Sequence, residues 1–445
     1  MSADRAQRWL ILSHAFNMDG RASSQTITDK IPHILNAGVE VVVLSGVSGL
    51  RDAHLEHHQL WPLGPAGIKF ELRHVLRRKW GHGLAYRIGM TLASVLLLPG
   101  IFLEKLFRPV ESSWSWYLTA YLKGLSLIRA GRFDMIYSTG GAFAAHLAAQ
   151  ALSRRTGLPW MAEVHDPFVT PGQPVRSAQE RMQSRVEKII CTEASLAVWF
   201  TDQALASAKA RHPQLGARGK VLLPGIDQPF VAGLPAHTAS SKLILGHFGS
   251  LSETRNLVRI VEAFEHLRVH APEVLQDIEL HIYGGPLDVI SAKRIQASAS
   301  RSHFRHFGRV EADPESGLTG RERILQKMRS VDVLLLLHGE EPICEEYIPS
   351  KMYEYLWMQR PILAQVHRNP QMTAMIKTQG HQVVETGLHV ETAHEVGREM
   401  ADALTTLWHA WKLTALPDNG RQSPLTTKAT VDQLLAMTEN LLRSR

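Results

Sequence analysis

Short apolar segments alternate with helical patterns along the whole chain of 445 residues. Residues 39–44, 135–138 and 331–337 are almost continuously hydrophobic, and the residues between such segments repeat with helical spacing. Continuous apolar strands that are separated by helices indicate a parallel sheet covered on both faces. The chain is therefore predicted to be an α/β protein.

The alternation restarts in the second half of the chain. Residues 234–242 are short and polar and contain a proline, which is typical of a linker. New strand candidates follow at 243–248 and 278–283. We predict one doubly wound domain over 1–235, a second over 236–425 and a final helix over 426–445 that packs back on the first domain. Ligands of such sheets bind beyond the carboxyl ends of the strands.

Composition and charge exclude several classes of protein. A hydrophobic content of 44% is enough for real cores, so disorder is excluded. The net charge of +7 suits nucleic acid, an anionic membrane or phosphorylated substrates. No nucleic-acid-binding signature is present, so no nucleic-acid partner is predicted. Cys191 and Cys344 lie far apart and the N-terminus has no apolar signal segment, which together predict a reducing, cytoplasmic location.

Glu346 and Glu354 lie eight positions apart, around a predicted change from loop to helix. Pro349 blocks an earlier helix start, and Ser350 is placed to cap the first turn. The free amides of that turn and the charge of Lys351 predict an anion site. Because carboxylates accept hydrogen bonds from neighbouring sugar hydroxyls, the pattern fits a nucleotide-sugar pocket. The alternative is an amphipathic helix with solvated glutamates.

A second element of this kind, residues 248–256, opens the second domain. A strand is followed by a turn at Gly249 and then by a helix, which is an arrangement that cradles phosphate. Arg255 stands at a lysine position of the family that this element resembles, and the resemblance implies that it holds the diphosphate by a forked contact. The alternative is a tight turn whose arginine faces water.

These elements resemble the retaining GT-B glycosyltransferases of the family-four type. The two glutamates and the residues up to 364 resemble that family along most of the stretch, and residues 137–168 resemble bacterial polysaccharide glycosyltransferases. The chain departs from the family at three positions. Pro349 and Gln359 stand where the family usually has glycine, and Ser250 stands where it has arginine.

The resemblance implies a GT-B fold, with two Rossmann-like domains and a cleft between them. It also implies sugar transfer from a nucleotide sugar with retention at the anomeric carbon. Glu354 would bind the ribose hydroxyls and Glu346 the donor sugar. Arg255, Lys351 and the amides that begin at Ser350 would neutralise the departing diphosphate. No metal or other cofactor is implied.

The resemblance assigns four further positions. Gly20, in the loop after the first strand, would approach the donor phosphate. Gly284 would form a turn facing the donor, and main-chain groups near Val310 would read the edge of the base. His165, at a strand end, would lie near the transferred sugar, where it would bind a sugar hydroxyl or help to stabilise the developing oxocarbenium ion. The alternative for His165 is a structural histidine with satisfied hydrogen bonds.

Three histidines, His54, His57 and His58, have a spacing that would place them on one face of a helix. No fourth metal ligand is apparent in the sequence. We therefore predict a polar surface helix here and no metal site.

Residues 88–103 form an uncharged run of sixteen that contains Pro99 and is short for a membrane span. Basic residues precede and follow it, and Trp114, Trp116 and Tyr117 come next. Basic and aromatic residues around an apolar patch suit a membrane interface. We predict that the segment 73–117 binds an anionic membrane from the cytoplasmic side. The alternatives are a buried helix pair and a helix that spans the membrane.

The sequence thus predicts a glycosyltransferase of cell-surface polysaccharide assembly, peripheral at the inner face of the membrane, whose acceptor is lipid-linked or another saccharide. Two alternatives stay open. A GT-B nucleotide-sugar epimerase would convert the free donor without an acceptor. A non-catalytic sugar-binding or membrane-scaffold protein would bind a nucleotide without turnover.

Overall fold

The computed structural model describes residues 6–18, 21–81, 83–227, 240–311, 313, 315–389, 392–413, 416 and 425–443. The chain divides into two compact units, which are Met1–Asp227 with Leu425–Arg445, and Gln228–Pro424. Most of the predicted linker, 234–239, lies outside the described residues. Each unit is built on one parallel sheet, so the predicted α/β class is confirmed.

Unit 1, the unit that holds both chain ends, contains a seven-stranded sheet. Its strands are β1 (Arg8–Leu12), β2 (Glu40–Ser45), β3 (Glu56–Gln59), β4 (Met135–Thr139), β5 (Trp160–Val164), β6 (Leu196–Trp199) and β7 (Gly219–Val221). The strand order is β3-β2-β1-β4-β5-β6-β7, so the order reverses between β1 and β4. The connecting helices are α1 (Ala22–Asn36), α2 (Pro65–Trp80), α3 (Leu84–Phe107), α4 (Trp116–Ala130), α5 (Phe143–Thr156), α6 (Ala178–Glu193) and α7 (Asp202–Arg211), with a 3₁₀ turn at Pro213–Arg218.

Unit 2, residues Gln228–Pro424, contains a six-stranded parallel sheet. Its strands are β8 (Leu243–Phe248), β9 (Ile278–Tyr283), β10 (Phe304–Gly308), β11 (Val333–Leu337), β12 (Ile362–His367) and β13 (Gln382–Thr386), in the order β10-β9-β8-β11-β12-β13. Its helices are α8 (Val258–His270), α9 (Pro272–Gln276), α10 (Val289–Ala297), α11 (Gly320–Ser330), α12 (Ser350–Trp357), α13 (Pro370–Thr378) and α14 (Ala393–Lys412), with 3₁₀ turns at Arg301–His303 and Pro342–Glu346.

The interior strands are buried on both faces because helices cover both sides of each sheet. All five residues of β4, β5 and β11 are buried. Side chains alternate between the two faces, so Leu10 packs in one core cluster of unit 1 and Trp9 in the other. Polar and glycine-rich loops therefore lie at the carboxyl ends of the strands.

The C-terminal helix α15 (Thr427–Arg443) is part of unit 1. Its Val431 and Leu434 are buried in the cluster that contains Trp9. The backbone N–H of Ile226 donates to the carbonyl of Leu425 at 3.0 Å. The chain therefore leaves unit 1 and returns to it at adjacent points.

The helix predicted for His54, His57 and His58 is wrong, because Glu56–Gln59 form the strand β3. His57 points inward, where its Nε2 donates to Ser45 Oγ at 2.8 Å and its Nδ1 accepts from the Asp52 backbone at 3.0 Å. Burial lowers the pKa of His57 to about 4, so the ring is neutral. Among the described residues, no group of three or more His, Cys, Asp or Glu side chains is placed to hold a metal ion.

The predicted membrane segment needs two corrections. Residues 88–103 lie inside the longer helix α3, which has 24 residues, and its most apolar window is not buried, so the alternative of a buried helix pair is wrong. Trp116 is not interfacial, since it is fully buried and donates to the Ser45 carbonyl at 3.3 Å. Tyr117 packs against the same core. In the described part of the chain, α3 alone is long and apolar enough to cross a membrane by length and composition.

Candidate functional site

Two glycine turns meet at the carboxyl edge of the unit 2 sheet, where the strand order reverses between β8 and β11. Gly249 follows β8 with a φ of +149°, which favours glycine. Gly284 follows β9, and a Cβ added to it would lie 2.0 Å from the Gly249 carbonyl oxygen. Only glycine therefore fits at position 284, and two predicted donor-binding positions are in contact.

The end of β10 joins the same edge. The backbone N–H of Gly284 donates to the Gly308 carbonyl at 2.9 Å. Val310 follows two residues later and is partly buried. The main chain near Val310 is thus placed beside the glycine turns. Gly20, the other glycine that the sequence assigned to the donor, lies outside the described residues.

Arg255 closes the tight turn after Gly249. Its Nε donates to the Ser250 carbonyl at 3.1 Å, and its backbone N–H donates to the Ser252 carbonyl at 3.1 Å. A Cβ added to Gly339, which follows β11, would lie 4.0 Å from the Arg255 Cβ. The arginine therefore stands beside the loop that leaves β11, and within the described part of the chain its guanidinium is held by a backbone oxygen rather than by a carboxylate.

The helix α12 brings a second cation to this edge. The Phe248 backbone donates to the Tyr355 hydroxyl at 3.1 Å, which ties α12 to the end of β8. Burial, and to a lesser degree the positive charges of Arg255 and Lys351, lowers the pKa of His247 to about 4. The two cations therefore act on the same buried histidine, as expected if both line one anion site.

The predicted start of α12 is correct in position, but the cap at Ser350 is wrong. Pro349 occupies the N-cap position with an extended backbone, and Ser350 is the first helical residue and is exposed. The Pro349 carbonyl accepts from the Met352 N–H at 3.0 Å. Helix geometry leaves the amides of Ser350 and Lys351 without partners inside the helix. Lys351 Nζ forms an ion pair with Glu354 Oε2 at 2.6 Å.

Glu346 ends the 3₁₀ turn before α12, and its side chain is 1% exposed. The loop around it is held by Asn369, whose Nδ2 donates to the carbonyls of Glu345 at 3.2 Å and Tyr347 at 3.0 Å. The Asn369 Oδ1 also caps α13 by accepting from the Met372 backbone at 2.9 Å. Sequence reasoning missed Asn369. An asparagine directly before Pro370 is a helix-start signal that would have found its capping role but not its contact with the Glu346 loop.

His165 belongs to unit 1 and follows β5. Its Nε2 lies 2.8 Å from Glu163 Oε1 and 2.8 Å from Thr139 Oγ1. The ring stacks on Phe200 with 4.7 Å between centroids. These contacts fix the ring orientation, with Nε2 directed at the carboxylate. The prediction that His165 contacts the sugar stays a prediction.

The partner of His165, Glu163, is fully buried and is the centre of a network that sequence reasoning missed. Lys30 Nζ lies 2.5 Å from Glu163 Oε2, and the Tyr137 hydroxyl donates to the same oxygen at 2.7 Å. Burial acts to raise the pKa of Glu163, but Lys30 and His165 hold it well below the usual range. Burial and then the charge of Glu163 raise the pKa of Tyr137. Glu163 is therefore ionised and Tyr137 neutral.

A second buried pair lies at the carboxyl end of β1. His14 Nε2 is 3.0 Å from Glu71 Oε1, and both side chains are buried. The His14 ring meets the Trp116 ring edge-on with 5.4 Å between centroids. Sequence reasoning missed this pair as well, because its members lie on different elements and no short motif joins them.

Gln359 follows α12 with a φ of +55°, in the left-handed region that disfavours side chains with a Cβ. This conformation explains why glycine is usual at this position in the family that the sequence resembles.

We expect Gln359→Gly to stabilise the protein by about 0.5–1 kcal/mol, measured as a shift of the urea unfolding midpoint. Gln379, with a φ of −87°, is the matched control, and Gln379→Gly should be neutral or destabilising. A loss of stability in Gln359→Gly would contradict the strain.

Comparisons with known proteins find similarity in structure but not in sequence. No protein-family profile matches the chain, and no curated protein sequence matches it either. The crystal structure of Anabaena HepE in complex with UDP is similar over 98% of this chain and 99% of its own, with a TM-score of 0.59 and 14% identity.

Two other solved structures are similar over nearly the whole chain. The α,α-trehalose-phosphate synthase (UDP-forming) of Burkholderia vietnamiensis has a TM-score of 0.59 and 12% identity, over 99% of this chain and 98% of its own. WaaG, a glycosyltransferase involved in lipopolysaccharide biosynthesis, has a TM-score of 0.52 and 14% identity, over 96% of this chain and 99% of its own. These neighbours have the GT-B fold. With its two doubly wound parallel sheets, the chain has the GT-B fold that the resemblance of its sequence implies.

Proposed function

We propose that the protein is a glycosyltransferase whose unit 2 binds a nucleotide-sugar donor. The observation that carries this proposal is the convergence of two glycine turns, Arg255 and the start of α12 with Lys351 at one sheet edge. Close backbone approach, free amides and two cations are what a diphosphate requires. The neighbour HepE has been solved with UDP, with UDP and glucose, and with UDP-glucose, which supports a donor of this class.

Donor binding replaces the ion pair between Lys351 and Glu354 with contacts between each side chain and the donor. A diphosphate that contacts Lys351 competes with Glu354 for the ammonium group. Glu354 then accepts hydrogen bonds from the ribose hydroxyls, and Glu346, fixed by the Asn369 loop, accepts from the hydroxyls of the sugar. Arg255 and Lys351 stabilise the charge that develops on the departing diphosphate. These two cations fill the role of a metal ion, so no metal is required.

The finer parts of the proposal follow the resemblance of the sequence. Transfer proceeds with retention at the anomeric carbon. The acceptor is a lipid-linked or other saccharide in the assembly of a cell-surface polysaccharide, and the enzyme works at the cytoplasmic face of the membrane. The neighbour WaaG, which takes part in lipopolysaccharide biosynthesis, supports an acceptor of this kind.

Removal of either cation should weaken UDP binding far more than uridine binding. We expect Arg255→Ala and Lys351→Ala each to lower the affinity for UDP by about 10–100-fold, because each loses a charge-assisted contact with the diphosphate. Calorimetric titrations with UDP and with uridine measure the difference. Lys293→Ala, which removes an exposed lysine of α10, is the matched control and should bind UDP like the wild type. An equal loss for both ligands would place the diphosphate elsewhere.

The donor and the reaction are identified by a melting screen against nucleotide sugars, followed by turnover. A donor well above its dissociation constant raises the melting temperature. Transfer of its sugar to a saccharide acceptor, with the anomeric configuration of the product read by NMR, supports the proposal when the configuration is retained. Interconversion of the free nucleotide sugar would instead indicate an epimerase. Binding without turnover on any acceptor would indicate a sugar-binding or scaffold protein.

A further inference from the structure

The helix α3 lies at the surface of unit 1, and its exposed face is apolar. Leu96 and Phe107 are 79% and 77% exposed, values that are extreme for large hydrophobic side chains. The exposed apolar residues of α3 recur at helical spacing and form one broad stripe along the helix: Leu84, Ile88, Leu92, Val95, Leu96, Leu98, Phe102, Leu103, Leu106 and Phe107. A stripe of this length exceeds the apolar patches that soluble monomers normally expose, so it marks an interaction surface.

The inner side of α3 lies directly on α2. A Cβ added to Gly89 would lie 2.8 Å from the Trp80 ring, and one added to Gly100 would lie 2.8 Å from Pro65. The two helices are therefore antiparallel and in close contact near both ends of α3. Glu104, near the last turn of α3, accepts from the Ala66 backbone at 2.7 Å at the start of α2. The two helices form a hairpin whose partners cannot separate without losing these contacts.

The other side of α2 is tied to the body of unit 1 at two separated points. Glu71 contacts His14 after β1. Arg78, two turns further along α2, donates to the Gly49 carbonyl at 2.7 Å and to the Val47 carbonyl at 3.3 Å. Since α2 lies along the surface of unit 1 and α3 lies along α2, the axis of α3 is held parallel to that surface.

The exposed charged side chains of the hairpin are all basic. Residues 65–107 contain only two acidic side chains, Glu71 and Glu104, and both are buried. Apart from Arg78, which contacts the body of unit 1, the exposed basic side chains of the hairpin and its end are Arg73, Arg77, Lys79, Arg87 and Arg108. An apolar stripe with a purely basic rim is complementary to an anionic bilayer, where basic residues meet the headgroups and apolar residues the acyl chains. A rim of this composition disfavours a basic protein surface, including a second copy of this chain with its charge of +7.

We infer that α3 is embedded lengthwise in the headgroup and outer acyl region of an anionic bilayer and does not span it. Length and composition alone would permit a span, but the contacts of α3 with α2 hold both of its ends at one surface. The inference goes beyond electrostatic surface docking, since the apolar stripe enters the lipid. It extends the proposal of a lipid-linked acceptor but is tested without donor or acceptor, so that either can fail alone.

The depth of α3 is measured with an environment-sensitive label on single introduced cysteines. The two native cysteines are free and buried, which directs a brief labelling under native conditions to the introduced site. Leu84→Cys, Leu96→Cys and Phe107→Cys place labels near both ends and in the middle of α3. On vesicles of phosphatidylglycerol and phosphatidylcholine, we expect all three labels to be quenched to a similar extent by nitroxides high on the acyl chain. Val269→Cys, on the exposed face of α8, is the control and should be unaffected.

Several results would overturn the inference. A label at Leu96 that lies at the bilayer centre, with shallow labels at both ends, would mean a span. Labels that stay in water on every vesicle would mean that lipid does not cover the stripe, and labels shielded in a lipid-free dimer would assign it to a second copy.

A charge placed on the stripe gives an independent readout. We expect Leu96→Glu and Phe102→Glu each to lower the fraction bound in vesicle flotation by about tenfold or more, because a carboxylate must then enter lipid beside anionic headgroups. Both positions are exposed, so the variants should melt like the wild type. Val269→Glu is the matched control and should float normally. Wild-type binding by both stripe variants would overturn the inference, and transfer of sugar to a water-soluble acceptor by these variants would separate it from the proposed function.

Discussion

Replacement of Glu163 by glutamine is expected to lower the free energy of unfolding by about 3–5 kcal/mol. Glu163 is fully buried and bonds to Lys30, Tyr137, Thr139 and His165. The glutamine side chain has nearly the same shape, so packing is kept, but the buried ammonium of Lys30 loses its counter-charge. An uncompensated buried charge is the largest single penalty that a conservative substitution can cause here.

Urea unfolding of the purified variants measures this effect. Glu193→Gln is the matched control, because Glu193 binds Arg154 by two hydrogen bonds at the surface of the same unit, and the loss there should be much smaller. Addition of Lys30→Met to Glu163→Gln removes the orphaned charge, so the double variant should be less destabilised than the sum of the single variants. A single variant as stable as the control would show that the pair does not hold unit 1 together.

The carboxylate of Glu163 also makes the stability of unit 1 depend on pH. The folded pKa of Glu163 is depressed. Its contribution is therefore complete above the ordinary glutamate pKa of about 4.3 and is lost as the pH falls toward the lower folded value. The difference in unfolding free energy between wild type and Glu163→Gln should shrink below about pH 4 and be constant near neutrality.

Substitution of Glu346 by glutamine is expected to reduce turnover by about 100-fold while it leaves UDP affinity nearly unchanged. The proposed role of Glu346 is to accept from hydroxyls of the sugar, a contact that the nucleotide alone does not make. Removal of the charge therefore lowers kcat without affecting the nucleotide contacts. Glu354→Gln should show the opposite behaviour and weaken UDP binding by about 1–3 kcal/mol.

The neighbouring Glu345 provides the control for this experiment. Its side chain is 25% exposed and pairs with Arg368 at 3.4 Å, and it has no proposed contact with the donor. Glu345→Gln should turn over like the wild type. If Glu346→Gln turns over normally as well, the buried carboxylate serves the loop and not the reaction.

The fold follows from the sequence where burial dictates the residue type. Val333–Leu337 and Leu243–Phe248 lie in the middle of a sheet, so their apolar runs are visible in the sequence. The edge strand β3 was predicted as a helix because Glu56–Gln59 are polar and their histidines have helical spacing. An edge strand has one neighbour, and its sequence carries a weaker signal.

The candidate site is predictable only where it is local in the chain. The glycine turns, Arg255 and the start of α12 are read from spacing within a few residues. Lys30 and Glu163 are 133 positions apart, and no short pattern joins them. Asn369 lies in a different element from the loop that it holds. Pairs of this kind are created by the crossovers of the sheet, so they become visible only when the strands are placed side by side.

Ile226 and Leu425 are hydrogen-bonded, so unit 2 is inserted between two adjacent positions of unit 1. Another domain can be inserted between these two positions if its two ends lie about as close together as two hydrogen-bonded residues. The entropic cost of a longer or shorter module changes slowly with its length. Unit 1, with its α2–α3 hairpin and its C-terminal helix, should therefore fold around the corresponding unit of another GT-B protein, and under the proposed function chimeras joined at 227 and 425 are expected to transfer a different sugar.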